Sequence, residues 1–196
     1  MKSRNWLGLA TTVAIALACA TTSPAAQPPR AAAPTVHDGS HDFDFNTGSW
    51  KTHLTRRLHP FSGTDEFIEL NGTVEVRDVW GGAAHLEEIE ADGPKGHWRG
   101  LSLFLYNPTA HQWSQNFVNA TSGVLVSGLI GSFAQGRGEL FQQDTLEGRT
   151  ILVRGVWSAI TRDSHRYEES YSADGGKTWE VQLTADKTRA APHRAP

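Results

Sequence analysis

Apolar and polar positions alternate along most of this chain in short runs, and glycine, proline, asparagine and aspartate punctuate them. Period-two alternation of this kind marks a half-buried β-strand. Runs that fit fall at 49–58, 65–70, 73–79, 84–91, 98–106, 113–119, 124–133, 139–143, 150–160, 165–172 and 178–188. They amount to nine to eleven strands in roughly 150 residues, with no sustained helical period between them. In "EFIELNGTVEV" (66–76) two runs flank Asn71-Gly72. That dipeptide tolerates positive φ at both central positions of a type I′ turn, which predicts a tight hairpin. Further turns are expected at Gly81-Gly82, "ADGPKG" (91–96), "NPTAHQ" (107–112), "TSG" (121–123), "QGRG" (135–138), "LEGR" (146–149) and "DGG" (174–176). Short strands at this spacing predict an all-β domain, either a sandwich or an up-and-down barrel. No repeat of fixed period is visible, and the chain is too short for the several four-stranded blades of a propeller.

The N-terminus departs from this pattern. Lys2 and Arg4 precede the largely apolar run "WLGLATTVAIALA" (6–18). The charge order and length are those of a secretory signal peptide, too short and wrongly flanked for a transmembrane helix. Cys19, the only cysteine in 196 residues, follows "IALA" directly. Its position resembles the lipobox of bacterial lipoproteins, in which that cysteine is lipidated, with Ala16 standing where leucine is usual. The other reading is an ordinary signal peptide cut after Ala20 or near Ala25. Both predict export, to the bacterial periplasm or to the outer membrane as a lipoprotein, with membrane contact only through the signal peptide or lipid. Residues 20–40 are rich in Ala, Pro, Thr and Ser and read as a disordered tether; 190–196 read as a disordered tail. One folded domain is left at 41–189, as the length suggests. It contains no cysteine, hence no internal disulfide. A formal charge of −3 without a strongly basic face argues against a nucleic-acid partner.

The domain opens with "DFDFNTGSWK" (42–51), which places Gly-x-Trp at the start of the first strand. In lipocalins and their relatives this element closes one end of a barrel, its indole packed on a basic side chain near the last strand. Trp50 would meet Lys187 or Arg189, a cation–aromatic contact of about 0.5–2 kcal/mol. With "GTVEVRDVWGG" (72–82), "HWRGLSLFLYNPTAHQW" (97–113), "GRGELFQQDTLEGR" (136–149), "RGVWSAI" (154–160) and "RYEESYSADGGKTWE" (166–180), the chain resembles an uncharacterised bacterial family of calycin-like barrels. The resemblance implies a single antiparallel barrel of about ten strands. It implies no catalytic residue, because the family carries no agreed activity. Many relatives are cytoplasmic, and the export signal departs from that. "SADGGKTW" (172–179) also fits the Asp-box pattern of sialidase blades. We read it as the turn of the last hairpin, with Asp174 bonding nearby backbone, glycine supplying positive φ and Trp179 packing beneath.

Barrel strands alternate inward and outward, so polar residues on an apolar face are candidates for lining a pocket. Arg99 shares a face with Leu101, Leu103 and Leu105, and Arg154 interrupts the face of Leu152, Val156 and Ile160. In "HLEEIEA" (85–91), Leu86, Glu88 and Glu90 alternate with Glu87 and Ile89. In "RYEESY", Tyr167, Glu169 and Tyr171 share one face, Arg166 and Glu168 the other. One reading gathers Arg99, Arg154, Glu88 and Glu168 into a cavity walled by Tyr167 and Trp157. There arginines would grip an anion and a desolvated glutamate would serve as acid or base. The other reading makes them cross-strand ion pairs on a wet outer face.

His37 and His41, four apart beside Asp38 and Asp42, have helical metal spacing but fall in the tether, so no metal site is expected. His85, His97 and His165 lack paired spacing and read as ordinary histidines, with haem ligation the sharper alternative. The nucleophile-elbow, P-loop and dinucleotide fingerprints are absent, and no cofactor is implied. The expected function is binding of a small hydrophobic or aromatic molecule. An isomerase, cyclase or lyase using the Arg/Glu cluster, a haem-binding barrel and a filled structural barrel are the alternatives.

Overall fold

The computed structural model describes residues 37–191. The signal peptide, Cys19, the tether up to residue 36 and the end of the tail lie outside them. Ten antiparallel strands form a closed up-and-down barrel: β1 (Gly48–Arg57), β2 (Phe67–Val79), β3 (Ala84–Gly93), β4 (Gly96–Asn107), β5 (Gln112–Asn119), β6 (Leu129–Ala134), β7 (Arg137–Leu146), β8 (Arg149–Ser158), β9 (Ser164–Ser172) and β10 (Glu180–Arg189). Each strand pairs with the next, and β10 returns to β1 with Trp50 opposite Arg189. Closure leaves no free sheet edge.

The strand pattern is the one that alternation predicts, with two corrections: the run 124–133 enters the sheet only at Leu129, and the runs 65–70 and 73–79 are not separate strands. Asn71-Gly72 is not a hairpin turn. Both residues lie inside the single thirteen-residue strand β2, where Asn71 pairs with His53 and Asp92, and Gly72 with Thr52 and Ala91. Gly72 answers a different need. A Cβ there would lie 1.9 Å from the Glu90 carbonyl oxygen and 2.7 Å from the Ala91 Cα, so the strands approach too closely for any side chain. Two alternating runs that merge leave ten strands.

The segment before β1 explains why one end of the barrel is shut. A 3-10 turn, Asp44–Asn46, drops Phe43 into the barrel. The Phe43 ring stands 4.6–5.4 Å, centroid to centroid, from those of Phe104, Phe133, Trp113 and Trp157. The indole N–H of Trp113 donates to the Gly39 carbonyl (2.8 Å) and that of Trp50 to the Asn46 carbonyl (2.7 Å). Residues 37–40, at the end of the predicted tether, therefore belong to this cap. Trp50 is fully buried, and the Arg189 guanidinium lies 4.0 Å over its ring. Gly48 leaves room for that guanidinium: a Cβ there would sit 2.8 Å from Arg189 Nη1.

The "SADGGKTW" segment is the β9–β10 turn. Asp174 Oδ1 accepts from the backbone N–H of Lys177 (3.0 Å) and Thr178 (2.9 Å), and Oδ2 from the Thr178 hydroxyl (2.7 Å). These donors hold its carboxyl well below the usual carboxylate range. The Trp179 N–H donates back to the Gly176 carbonyl (3.0 Å). The Asp174 carboxylate and the Trp179 N–H are thus both engaged within the turn itself.

Candidate functional site

Above the aromatic cap the inward side chains stop meeting. They enclose a cavity of about 540 Å³ that opens at the end opposite the cap, where the β1–β2 and β5–β6 connections contribute Pro60 and Val126. Leu54, Val74, Ile89, Phe117, Leu129 and Trp157 supply apolar wall. Polar groups enter it in two places.

The first is the floor. Lys187 on β10 forms a buried ion pair with Glu87 on β3. The Asn46 amide N–H donates to Glu87 Oε2 (3.0 Å), and its carbonyl accepts from Lys187 Nζ (3.3 Å). Ser102 donates to Glu87 Oε1 (3.2 Å), and the Lys187 ammonium lies 4.9 Å over the Trp157 ring. Burial pulls the Lys187 ammonium below its usual range, and the adjoining carboxylate works against that. The pair is charge-neutral and closed by its own hydrogen bonds, as buried ions must be.

The second lies on β9. Tyr167, Glu169 and Tyr171 face inward and line the cavity. The Tyr167 hydroxyl donates to Glu169 Oε2 (3.4 Å), and Tyr171 lines the cavity on the same face of β9. Burial pushes the Glu169 carboxyl up, and burial beside that carboxyl pushes both phenols up. The Trp157 N–H donates to Gln115 Oε1 (3.0 Å), which fixes the indole at the wall.

Of the six residues marked for a pocket, Tyr167 and Trp157 line the cavity and four do not. Glu88 is exposed, 3.9 Å from Arg77 across the outer face of β2 and β3. Arg99 is exposed on β4 opposite Glu90. Arg154 packs its guanidinium 4.4 Å over the Trp179 ring, and Glu168 accepts from Ser170 (3.3 Å). Strand parity is the cause. Arg154 and Trp157 are three apart on β8, and Tyr167 and Glu168 are adjacent on β9, so only one of each couple faces in. The arginine–glutamate cluster required by the enzyme alternative is not assembled in the cavity.

None of the three candidate histidines lines the cavity either. His97 is exposed beside Asp92 (3.0 Å). His85 is buried at the capped end, its Nδ1 2.9 Å from Asp78 Oδ1. His165 is buried among the rings of Phe45, Trp50 and Trp157. Both its nitrogens lack a partner among the described residues, and burial beside Lys187 and Arg189 lowers its pKa to about 3. None of these three histidines is therefore presented to the cavity as a haem ligand. His37 and His41 pair separately with Asp42 and Asp44, each at 2.9 Å.

Glu87, Lys187 and Glu169 are among the ionic residues of the cavity that are absent from the predicted site, with Arg56, Arg57 and Asp144 at its upper end. The available signal was parity: Glu169 shares the face of Tyr167 and Tyr171, and Glu87 that of His85, Ile89 and Ala91.

No protein-family model matches the chain, and no curated protein matches it. Among solved structures it is similar to the S-type phycobiliprotein lyase CPES from Guillardia theta, at 13% identity and a TM-score of 0.52, over 76% of this chain and 90% of that one. A redesigned β-barrel bound to DFHBI matches at 12% identity and a TM-score of 0.42, over 74% of this chain and 99% of that one. A de novo designed fluorescence-activating β-barrel matches at 11% identity and 0.42, over 75% and 95%. The likeness to the lyase is one of fold alone.

Proposed function

We propose that this chain is an exported barrel of the calycin-like kind that carries one small, largely apolar molecule. The observation that supports it is the cavity of about 540 Å³, shut below by an aromatic cap and open above. Its size falls within the range of roughly 300–1,000 Å³ typical of small-molecule sites, and its apolar walls carry a few fixed polar groups, as such sites do. Burial of the ligand's apolar surface supplies affinity at about 25 cal/mol per Å². The polar groups on β9 select orientation. Export rests on Lys2, Arg4 and the apolar run 6–18.

Native mass spectrometry of the protein recovered from the envelope of the producing cell tests the reading. A single bound small molecule, released on denaturation, is the expected result. An empty protein that also takes up no apolar probe would overturn it. The intact mass from the same spectrum reports whether the mature chain begins with a lipidated Cys19.

A further inference from the structure

Six side chains of ionic type line the cavity: Arg56, Arg57, Glu87, Asp144, Glu169 and Lys187. Glu87 and Lys187 neutralise each other at the floor. Arg57 is held by groups outside the cavity: its Nη1 lies 3.1 Å from Asp65, and its Nε lies 3.7 Å from Glu180 while donating to the Val181 carbonyl at 3.1 Å. Arg56, exposed at the rim, then faces two carboxylates, Asp144 on β7 and Glu169 on β9. With Glu169 ionised, the upper wall has one negative charge in excess.

Glu169 is the deeper of the two and makes no ion pair among the described residues. The Tyr167 phenol donates to it (3.4 Å). Donors aimed at a carboxyl favour its anionic form, while burial without a cation opposes it. Arg56 acts on Glu169 only from the exposed rim and makes no ion pair with it, so the buried carboxyl lacks a contacting cation among the described residues. A second acceptor lies nearby. Gln182, one residue from the register partner of Glu169, spends its amide N–H on Glu180 (2.6 and 3.2 Å). Its carbonyl oxygen is left without a donor. Tyr167 lies beside Trp157, 4.9 Å between centroids, and adds an aromatic ring that attracts a cation, as Trp157 already does for Lys187.

We propose that the cavity takes an apolar ligand bearing a protonated amine, and that Glu169 receives the amine. The proposal rests on the carrier reading and narrows it. The amine keeps its proton, and a proton held by Glu169 in the empty barrel leaves to solvent on binding.

The test uses three probes that share one ring system: 1-naphthylmethylamine, 1-naphthalenemethanol and 1-naphthoic acid, titrated calorimetrically at neutral pH. The wild-type protein should bind the amine about tenfold or more tighter than the alcohol, as a hydrogen bond to a charged partner warrants, and the acid weakest. Glu169→Gln should bring the amine to the alcohol's affinity and leave the alcohol unchanged. Tyr167→Phe, which removes the phenol donor to the carboxylate, should reduce the preference in part, and it asks the same question if Glu169→Gln does not fold. An alcohol or acid that binds as tightly as the amine would overturn the proposal while the carrier reading stands. So would an amine preference that survives Glu169→Gln. Failure of all three probes to bind would overturn both.

Discussion

At the capped end of the barrel, Phe43 descends between Phe104, Trp113 and Trp157, and ring meets ring at centroid distances near 5 Å. At the open end the same ten strands carry glutamine, tyrosine, glutamate and leucine inward, and about 540 Å³ stays empty. Alternation along the strands is the same at both ends, so alternation does not decide which end holds a ligand. The difference comes from a piece of chain outside the sheet. Residues 37–47 fold back across one end and fill it, and no comparable segment among the described residues fills the other. The Glu87–Lys187 pair marks the boundary between them.

Two substitutions test that division most severely. Phe43→Ala removes the central ring of the cap and should cost about 3–5 kcal/mol, read from the denaturant midpoint, because packed neighbours relax only in part. Lys187→Met leaves Glu87 buried without its cation and should cost about 3–5 kcal/mol by the same measurement, with Glu87→Gln added to it restoring much of the loss.

A smaller effect separates the ends by pH. His165 sits in the cap with a folded pKa of about 3, below its ordinary 6.5. The unfolded chain therefore takes up a proton that the folded chain refuses. The stability contributed by the neutral ring is complete above about pH 6.5 and is lost as pH falls towards 3, at about 1.4 kcal/mol per unit. His165→Phe removes that share of the acid slope. The unfolding free energy of the variant, relative to wild type, should rise by about 2 kcal/mol between pH 7.5 and pH 5. Parallel curves would refute the assignment.

The smallest effects belong to the outer face. Arg99→Ala, Glu88→Gln, Glu168→Gln and Arg154→Ala should leave the affinity for any cavity probe unchanged within about twofold, as expected of surface positions away from a site. Loss of binding in any of them would place that residue back in the pocket.

These four residues also show where the sequence ceases to be legible. Strand positions follow from alternation, and the cation over Trp50 and the Asp174 turn follow from local motifs, because each depends on neighbours in sequence or on one strand pairing. The inward face does not follow. Outer-face Leu152 lies within 3.7 Å of a Cβ at Gly176, and Ile130 and Phe141 are register partners on the outer face. Apolar residues thus occur on both sides of β6, β7 and β8, and hydrophobicity alone cannot choose the phase. Asn71-Gly72 misleads for a related reason. Its local chemistry suits a turn, but the close approach of β3 needs the same missing Cβ. Phe43 was visible within "FDFNTGSW", yet that it fills the barrel depends on partners 61 to 114 residues away on β4, β5 and β8.

The central claim is that the open half of the barrel holds one ligand. It is tested most directly by titrating the neutral fluorescent probe N-phenyl-1-naphthylamine into the wild-type protein and into Ala185→Trp, whose new indole would occupy the cavity beside Leu54 and Tyr167. Saturable binding of one equivalent to the wild type, lost in a folded Ala185→Trp, is the predicted result. No saturable binding to the wild type, or equal binding to both proteins, would contradict it.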